Sequence, residues 1–251
     1  MSKNAWIIFS TVCLVVLGGL IFLSNKDKVN VDNVTTGVVQ AAATQSGNIG
    51  DHVFGNAKSK VVMIEYGDFQ CPGCGSAYPI ITPLTEKYKD QIAFIFRNFP
   101  LTQLHPNAMT AAAVAEAAGL QGKYWEMHNK LYENQSAWNS LSASTRVDFF
   151  VSYAQSLGLN TTTFKNDLTG TAISQKIGYD QALGRKDGVT GTPTFFVDGK
   201  QTTQYVANGK IVSADTSGAN PVWADAAAFE KLIILPALKA HNIAPPTATA
   251  S

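Results

Sequence analysis

The sequence predicts an α/β fold with an inserted helical subdomain, preceded by one N-terminal transmembrane helix, and three observations predict it. Residues 61–99 read as strand, helix, strand. Residues from about 105 to 188 carry helical periodicity before strand character returns. A 19-residue run near the N-terminus contains no charged side chain.

That run, "AWIIFSTVCLVVLGGLIFL" from Ala5 to Leu23, is close to the roughly 20 residues a helix needs to cross a bilayer. It is read as a retained signal-anchor over residues 5–24, with residues 1–4 as a cytoplasmic head. Lys3 on one side and Lys26, Asp27 and Lys28 on the other orient it only weakly; the orientation rests on the ease of leaving four residues inside. Cleavage as a signal peptide is the alternative. Against it, the run exceeds an h-region of about 7–15 residues, and the small residues Ala41 and Ala43 lie far downstream. Cys13 sits mid-span behind bulky Val12, which argues against lipidation and for a small apolar residue facing lipid. Residues 25–48, rich in Asn, Thr, Gln, Gly and Ala without a period, read as a flexible tether.

The folded domain is expected over residues 49–240. Val61, Val62, Met63 and Ile64 form a β-rich apolar run suited to a strand buried on both faces. From Pro72, Ala77, Ile80, Ile81, Leu84 and Tyr88 recur at helical spacing, and Pro72 fits a first turn, where its missing N–H costs nothing. "IAFIFRNF" from Ile92 is a second strand, so the unit is a parallel crossover. Within the insertion, about 105–188, helices are expected from Ala108 to Gly119, from Lys123 with Trp125, Leu131 and Tyr132 toward the core, and along the stripe Val147, Phe150, Val151, Ala154, Leu157. Asn160 or a following Thr, and Thr171, are cap candidates. Asp198-Gly199 and Asn208-Gly209 signal tight turns. A last helix is expected from Ala224 to about Leu235, with Phe229, Leu232 and Ile233 facing the sheet and Pro236 kinking or ending it. Residues 241–251 read as a disordered tail.

With 251 residues, 45% of them hydrophobic, the chain can bury a sizeable core. A net charge of +1 and no dense basic run make nucleic acid a poor partner. Outside Cys13 the only thiols are Cys71 and Cys74, too few for a disulfide framework in a domain able to fold on packing. A metal site would need further ligands, yet there is no second CxxC, and His52, His105, His128 and His241 are scattered, each read as a surface or packed residue. As a staple, so short a loop would restrict the unfolded chain little. Redox chemistry is the remaining use. Cys71 at a strand-to-helix junction meets unpaired N–H groups and the helix dipole, which favour its thiolate; Cys74, one turn on, is the resolving sulfur. Glu65, inside the buried strand, reads as a proton acceptor for Cys74, against a structural carboxylate that finds a partner. Pro193 opens a strand, and a cis Thr192-Pro193 bond beside the sulfurs is preferred over a trans strand-start proline, leaving backbone groups free to bind an extended substrate segment.

"EYGDFQCPGC", "FPLTQLHPNA", "GKYWEMHNKLYENQ" and "GVTGTPTFFVDG" occur in this order. On these motifs the chain, over about residues 49–240, resembles the DsbA family of thioredoxin-fold thiol-disulfide oxidoreductases, and within it the membrane-anchored bacterial branch of BdbD-like proteins. The resemblance implies a thioredoxin core with the helical insertion, an extracytoplasmic active site and a redox disulfide between Cys71 and Cys74 that is donated to folding proteins; a tethered reductase or isomerase, or a non-enzymatic peptide-binding module, would share every motif. Cys71 is then the nucleophile, Cys74 its partner, Glu65 the buried acid, Pro193 the cis-proline with Thr192 before it, and Pro72 and Gly73 the start of the active-site helix. Where many members carry a polar residue before the second cysteine, this chain has Gly73, which implies a milder oxidant. The expected partners are exported proteins with free thiols or disulfides and a membrane redox protein that recycles the pair. The expected site is the outer face of the cell membrane, single-pass. No organic cofactor and no metal are implied.

Overall fold

A computed structural model describes residues 6, 9–17, 19 and 29–247. The chain divides into two units, residues 1–30 and 31–251. In the first, the described residues 6, 9–17 and 19 are helical; the expected head and much of the expected span at 5–24 lie outside the described residues. Among the described residues no helix is long and apolar enough to cross a membrane.

The second unit is built on a five-stranded sheet in the order β1-β3-β2-β4-β5. Its strands are β1 (Val53–Gly55), β2 (Val61–Gly67), β3 (Ile92–Asn98), β4 (Thr194–Val197) and β5 (Lys200–Gln201). β2 and β3 are parallel, with Glu65 opposite Phe96, and the other pairs are antiparallel. Every residue of β2 and β3 is buried, as an apolar run covered on both faces requires. Side chains alternate between those faces. Val61 and Met63 pack with Ala77 and Ile81 of α1 (Pro72–Lys87), so Glu65 shares the α1 face; Tyr66 points to the other, where it meets Arg97, Phe99 and Phe196.

The insertion comprises α2 (Ala108–Gly119), α3 (Tyr124–Glu133), α4 (Gln135–Trp138), α5 (Ala143–Ser156), α6 (Thr161–Asp167) and α7 (Thr171–Lys186). Asn160 caps α6, accepting the Thr163 N–H. Thr171 is the first residue of α7 rather than its cap, which is Gly170. The α5 stripe packs as expected at Phe150, Val151, Ala154 and Leu157, joined by Tyr153, and only Val147, nearer the helix start, is exposed. Asp198-Gly199 and Asn208-Gly209 both form turns with positive φ at each residue. The second joins β6 (Tyr205–Ala207) to β7 (Lys210–Val212), which with β8 (Asn220–Pro221) make a separate small sheet.

The last helix corrects the sequence reading. α8 (Ala226–Phe229) passes through a π-helical turn at Glu230–Ile234 into α9 (Leu235–Ala240). Pro236 therefore falls in the first turn of a renewed α-helix, where its missing N–H is harmless, and the helix continues past it. Phe229 and Ile233 are buried against the sheet and Leu232 partly so. His241 pairs with Asp198 at 2.9 Å and Ile243 packs on the core, so docking extends beyond residue 240; residues 248–251 of the expected tail lie outside the described residues.

The larger correction concerns the tether. Residues 25–28 lie outside the described residues, but residues 31–48 form a strap docked on the domain. The Lys186 ammonium donates to the carbonyls of Val31, Asp32 and Val34 at 2.9, 2.6 and 2.7 Å. The fully buried Arg97 guanidinium donates to those of Thr36 and Val38 at 2.6 and 2.8 Å. Backbone oxygens meeting one buried cation, Arg97, and one exposed cation, Lys186, tie the strap down, and its polar composition does not report them.

Candidate active site

Cys71 is the N-cap of α1, extended at φ −65° and ψ 124°, and Pro72 begins the helix. Its residue is 8% exposed while Cys74 is sealed at 0%, so only the first sulfur can be reached from outside. Both are free thiols in this structure, which is the reduced state of the pair. The Thr192-Pro193 bond is cis, and the Cys71 thiol donates to the Thr192 carbonyl at 3.3 Å. A Cβ on Gly73 would lie 3.2 Å from Pro193 Cδ and 3.6 Å from Cys71 Sγ. A side chain between the cysteines would therefore press on the proline loop, which must give by a few tenths of an ångström to admit it.

The two sulfurs are driven apart electrostatically. The Cys74 thiol donates to Cys71, and the Thr192 hydroxyl and the N–H groups of Cys74 and Gly73 add to it, lowering the Cys71 pKa to about 5 against the opposing effect of burial. The Thr192 hydroxyl is buried with no hydrogen-bond partner, which leaves it available to the ionised sulfur. Cys74 is pushed well above its ordinary range, first by burial, then by its bond to Cys71 and the charges of Glu65 and Cys71. Glu65, 5% exposed, rises to about 8, mainly through burial and then through the Cys71 charge. At neutral pH the reduced site thus holds a thiolate, a thiol and a protonated carboxyl. Every residue singled out from the sequence, Glu65, Cys71, Pro72, Gly73, Cys74, Thr192 and Pro193, lies at this one junction or within electrostatic reach of it.

Sequence reasoning missed the supports of the turn. Asp68 accepts the N–H groups of Gln70 (2.8 Å) and Leu101 (2.9 Å) and pairs with His105 Nδ1 at 2.7 Å. The Asn107 N–H donates to Gln70 Oε1 at 2.6 Å, and Gln70 Nε2 to the Asn139 carbonyl. Asp68, Gln70, Leu101, His105 and Asn107 stand inside the quoted motifs, which was the available signal, but apart from the local Asp68–Gln70 bond their partners lie 33 or more positions away, and Asn139 lies outside the motifs. Of the histidines read as surface or packed residues, His128 is packed and His52 partly buried. His52 pairs with Glu116 at 2.9 Å, and His128 is boxed by Phe69, Phe96, Trp125 and Tyr132, burial pushing it down to about 4. Among the described residues no group of three or more His, Cys, Asp or Glu side chains could hold a metal ion.

A reachable, acidified cysteine at a helix start, a sealed partner one turn on and a cis-proline carbonyl against the first sulfur make, on this fold, a thioredoxin-type dithiol site. The family model described as Thioredoxin matches residues 47–213, and the chain belongs to that family. In fold it is similar to BdbD of Bacillus subtilis (TM-score 0.59, 20% identity, 81% of this chain and 98% of that one). It is likewise similar to α-DsbA1 of Wolbachia pipientis (TM-score 0.59, 23% identity, 76% and 93%). MdbA of Corynebacterium diphtheriae, a thiol-disulfide oxidoreductase, matches with TM-score 0.52 and 22% identity over 68% and 89%. In sequence, 151 residues are 38% identical to Na(+)/H(+) antiporter NhaA 1 of Salinispora arenicola. That match takes 60% of this chain and 22% of the antiporter, so the chain spans about a fifth of that relative's length.

Proposed function

We propose that this protein is an anchored, extracytoplasmic oxidase of the DsbA type that donates the Cys71–Cys74 disulfide to exported proteins and is recharged by a membrane redox partner. The observation that carries the direction is the environment of Cys71. A dithiol whose reduced form is stabilised is the stronger oxidant, and here the Cys74 thiol and two backbone N–H groups hold the Cys71 thiolate. The uncharged run at residues 5–23 supports the anchor.

In the forward reaction a substrate thiolate attacks Cys71 Sγ of the disulfide. The Cys71–Cys74 bond breaks, and Cys74 leaves as a thiolate that takes the Glu65 proton. A second substrate thiolate attacks the substrate sulfur of the mixed disulfide and expels Cys71 as its stabilised thiolate. Two electrons pass from substrate to protein, the substrate gains a disulfide, and solvent restores the Glu65 proton. The extended substrate lies along the Thr192-Pro193 backbone.

The deciding measurement is the redox equilibrium of the pair in glutathione buffers on the full-length protein, read by thiol trapping and mass spectrometry. A potential toward about −120 mV supports a disulfide donor, and one near about −270 mV overturns it in favour of a reductase. A thiolate near pH 5 places the expected value between that of the strongest oxidant, whose cysteine lies at about 3.5, and that of thioredoxin, at about 7.

A further inference from the structure

Gln135 opens α4 in the helical insertion, 64 positions from Cys71. Its Nε2 donates to two backbone carbonyls of the redox turn, Phe69 O at 2.7 Å and Cys71 O at 2.9 Å. The Cys71 carbonyl already accepts the first helical N–H, from Gly75 at 3.0 Å, so the amide is a second donor to the same oxygen. Gln135 is also confined sterically: a Cβ on Gly75 would overlap its Oε1, and its two bonds leave it no easy retreat. One side chain therefore grips residues 69–71 on both sides of the segment that aims the sulfur.

This grip has a chemical consequence. Carbonyl oxygens beside a thiolate carry like partial charge, and a donor on each of them covers that charge and brings the positive end of an amide dipole to the site. The grip also fixes how the first N–H groups of α1 face the sulfur. We infer that Gln135 is a positioning residue for Cys71, through which the helical insertion sets the stability of the thiolate and so the redox poise of the pair. The inference rests on the reading of Cys71 as the exchanging sulfur.

The test compares Gln135→Ala with the full-length wild type in two ways. The first is the pH dependence of iodoacetamide alkylation at Cys71, located by mass spectrometry. The second is the equilibrium in which the reduced pair and glutathione disulfide give the Cys71–Cys74 disulfide and two glutathione thiols, two electrons passing to glutathione. The alkylation midpoint is expected to rise by about one pH unit, tenfold less thiolate below it, and the equilibrium to move about tenfold toward the protein disulfide, ~30 mV. A merely structural role would lower the melting temperature and move neither, and that outcome overturns the inference. Should Gln135→Ala fail to fold, Gly75→Ala displaces the amide without removing it. A smaller shift in the same direction is then expected, and none would be equally decisive against the idea. Where both variants fold, Gly75→Ala should add nothing in the Gln135→Ala background. A wild type that does not exchange with glutathione at all sinks the functional reading, while the alkylation midpoint still reports on Gln135.

Discussion

Glu65 and Arg97 are both buried in neighbouring strands of one sheet, on opposite faces, and have opposite fates. Arg97 spends four N–H bonds on the Thr36 and Val38 carbonyls, Tyr66 Oη and Asp51. Asp51 also holds Lys176 at 2.9 Å; burial works against its charge, but Lys176 and Arg97 keep it down at about 2. Glu65 has no ion pair among the described residues, and burial leaves it near 8. Burial alone therefore does not mark a functional ionisable group. A charge saturated with partners keeps its protonation state and holds structure together, whereas a carboxyl left short of partners can exchange a proton within the working pH range.

The largest contrast should come from the sulfurs. Cys71→Ser is expected to abolish oxidation of a dithiol peptide, and Cys74→Ser to accumulate a mixed disulfide, visible on a non-reducing gel. Residual turnover in Cys71→Ser would break the assignment. On the structural face, Arg97→Leu leaves Asp51 with Lys176 as its remaining cation and the Thr36 and Val38 carbonyls without their donor, and should cost about 3–5 kcal/mol in urea unfolding, with exchange by the folded fraction unchanged. A loss of specific activity larger than the loss of folded protein would show that the two faces are not separate.

Glu65→Gln tests the other face by rate and by pH. Exchange should slow by about 100-fold, the general acid being gone. The raised Glu65 pKa makes the reduced protein lose stability as pH rises from about 4.5 to 8, because the unfolded chain releases this proton first. The lowered Cys71 pKa acts oppositely. Its contribution is full above pH 9 and is lost as pH falls toward 5. In the wild type the two slopes oppose each other between pH 5 and 8. In Glu65→Gln, stability should climb with pH by up to about 1.4 kcal/mol per unit, less what solvent reaching one side of Cys71 screens. A variant profile no steeper than the wild type's would remove Glu65 from the pair. The smallest effect belongs to Gly73→Ala, where Pro193 must give by a few tenths of an ångström. Exchange should slow by less than about threefold, and a tenfold loss in a stopped-flow assay would mean the proline loop is rigid.

What the sequence disclosed follows the same division. The β2–α1–β3 unit, the insertion helices and the cysteine pair were legible because each rests on a local pattern: period, turn residue or spacing. The proline beside the sulfurs was legible from its motif. Arg97, Asp51, Lys176 and Asp180 were not read as a cluster, since Asp51 meets Lys176 across 125 positions. Likewise Gln135 sits in a motif whose purpose depends on a turn 64 residues earlier. Local patterns encode elements, and the bonds that tune a site are mostly between elements.

Carbonyl oxygens, which any residue supplies, make the five bonds that tie the strap to Lys186 and Arg97, while Thr36, through its hydroxyl bond to Asp187, and Gly37, against Gly199, add constraints on residue type. The family match begins at residue 47, near the strap's end. A soluble fragment cut at that boundary would look complete by similarity and yet deprive Lys186 and Arg97 of five carbonyl acceptors. A fragment for biochemistry should begin ahead of Val31.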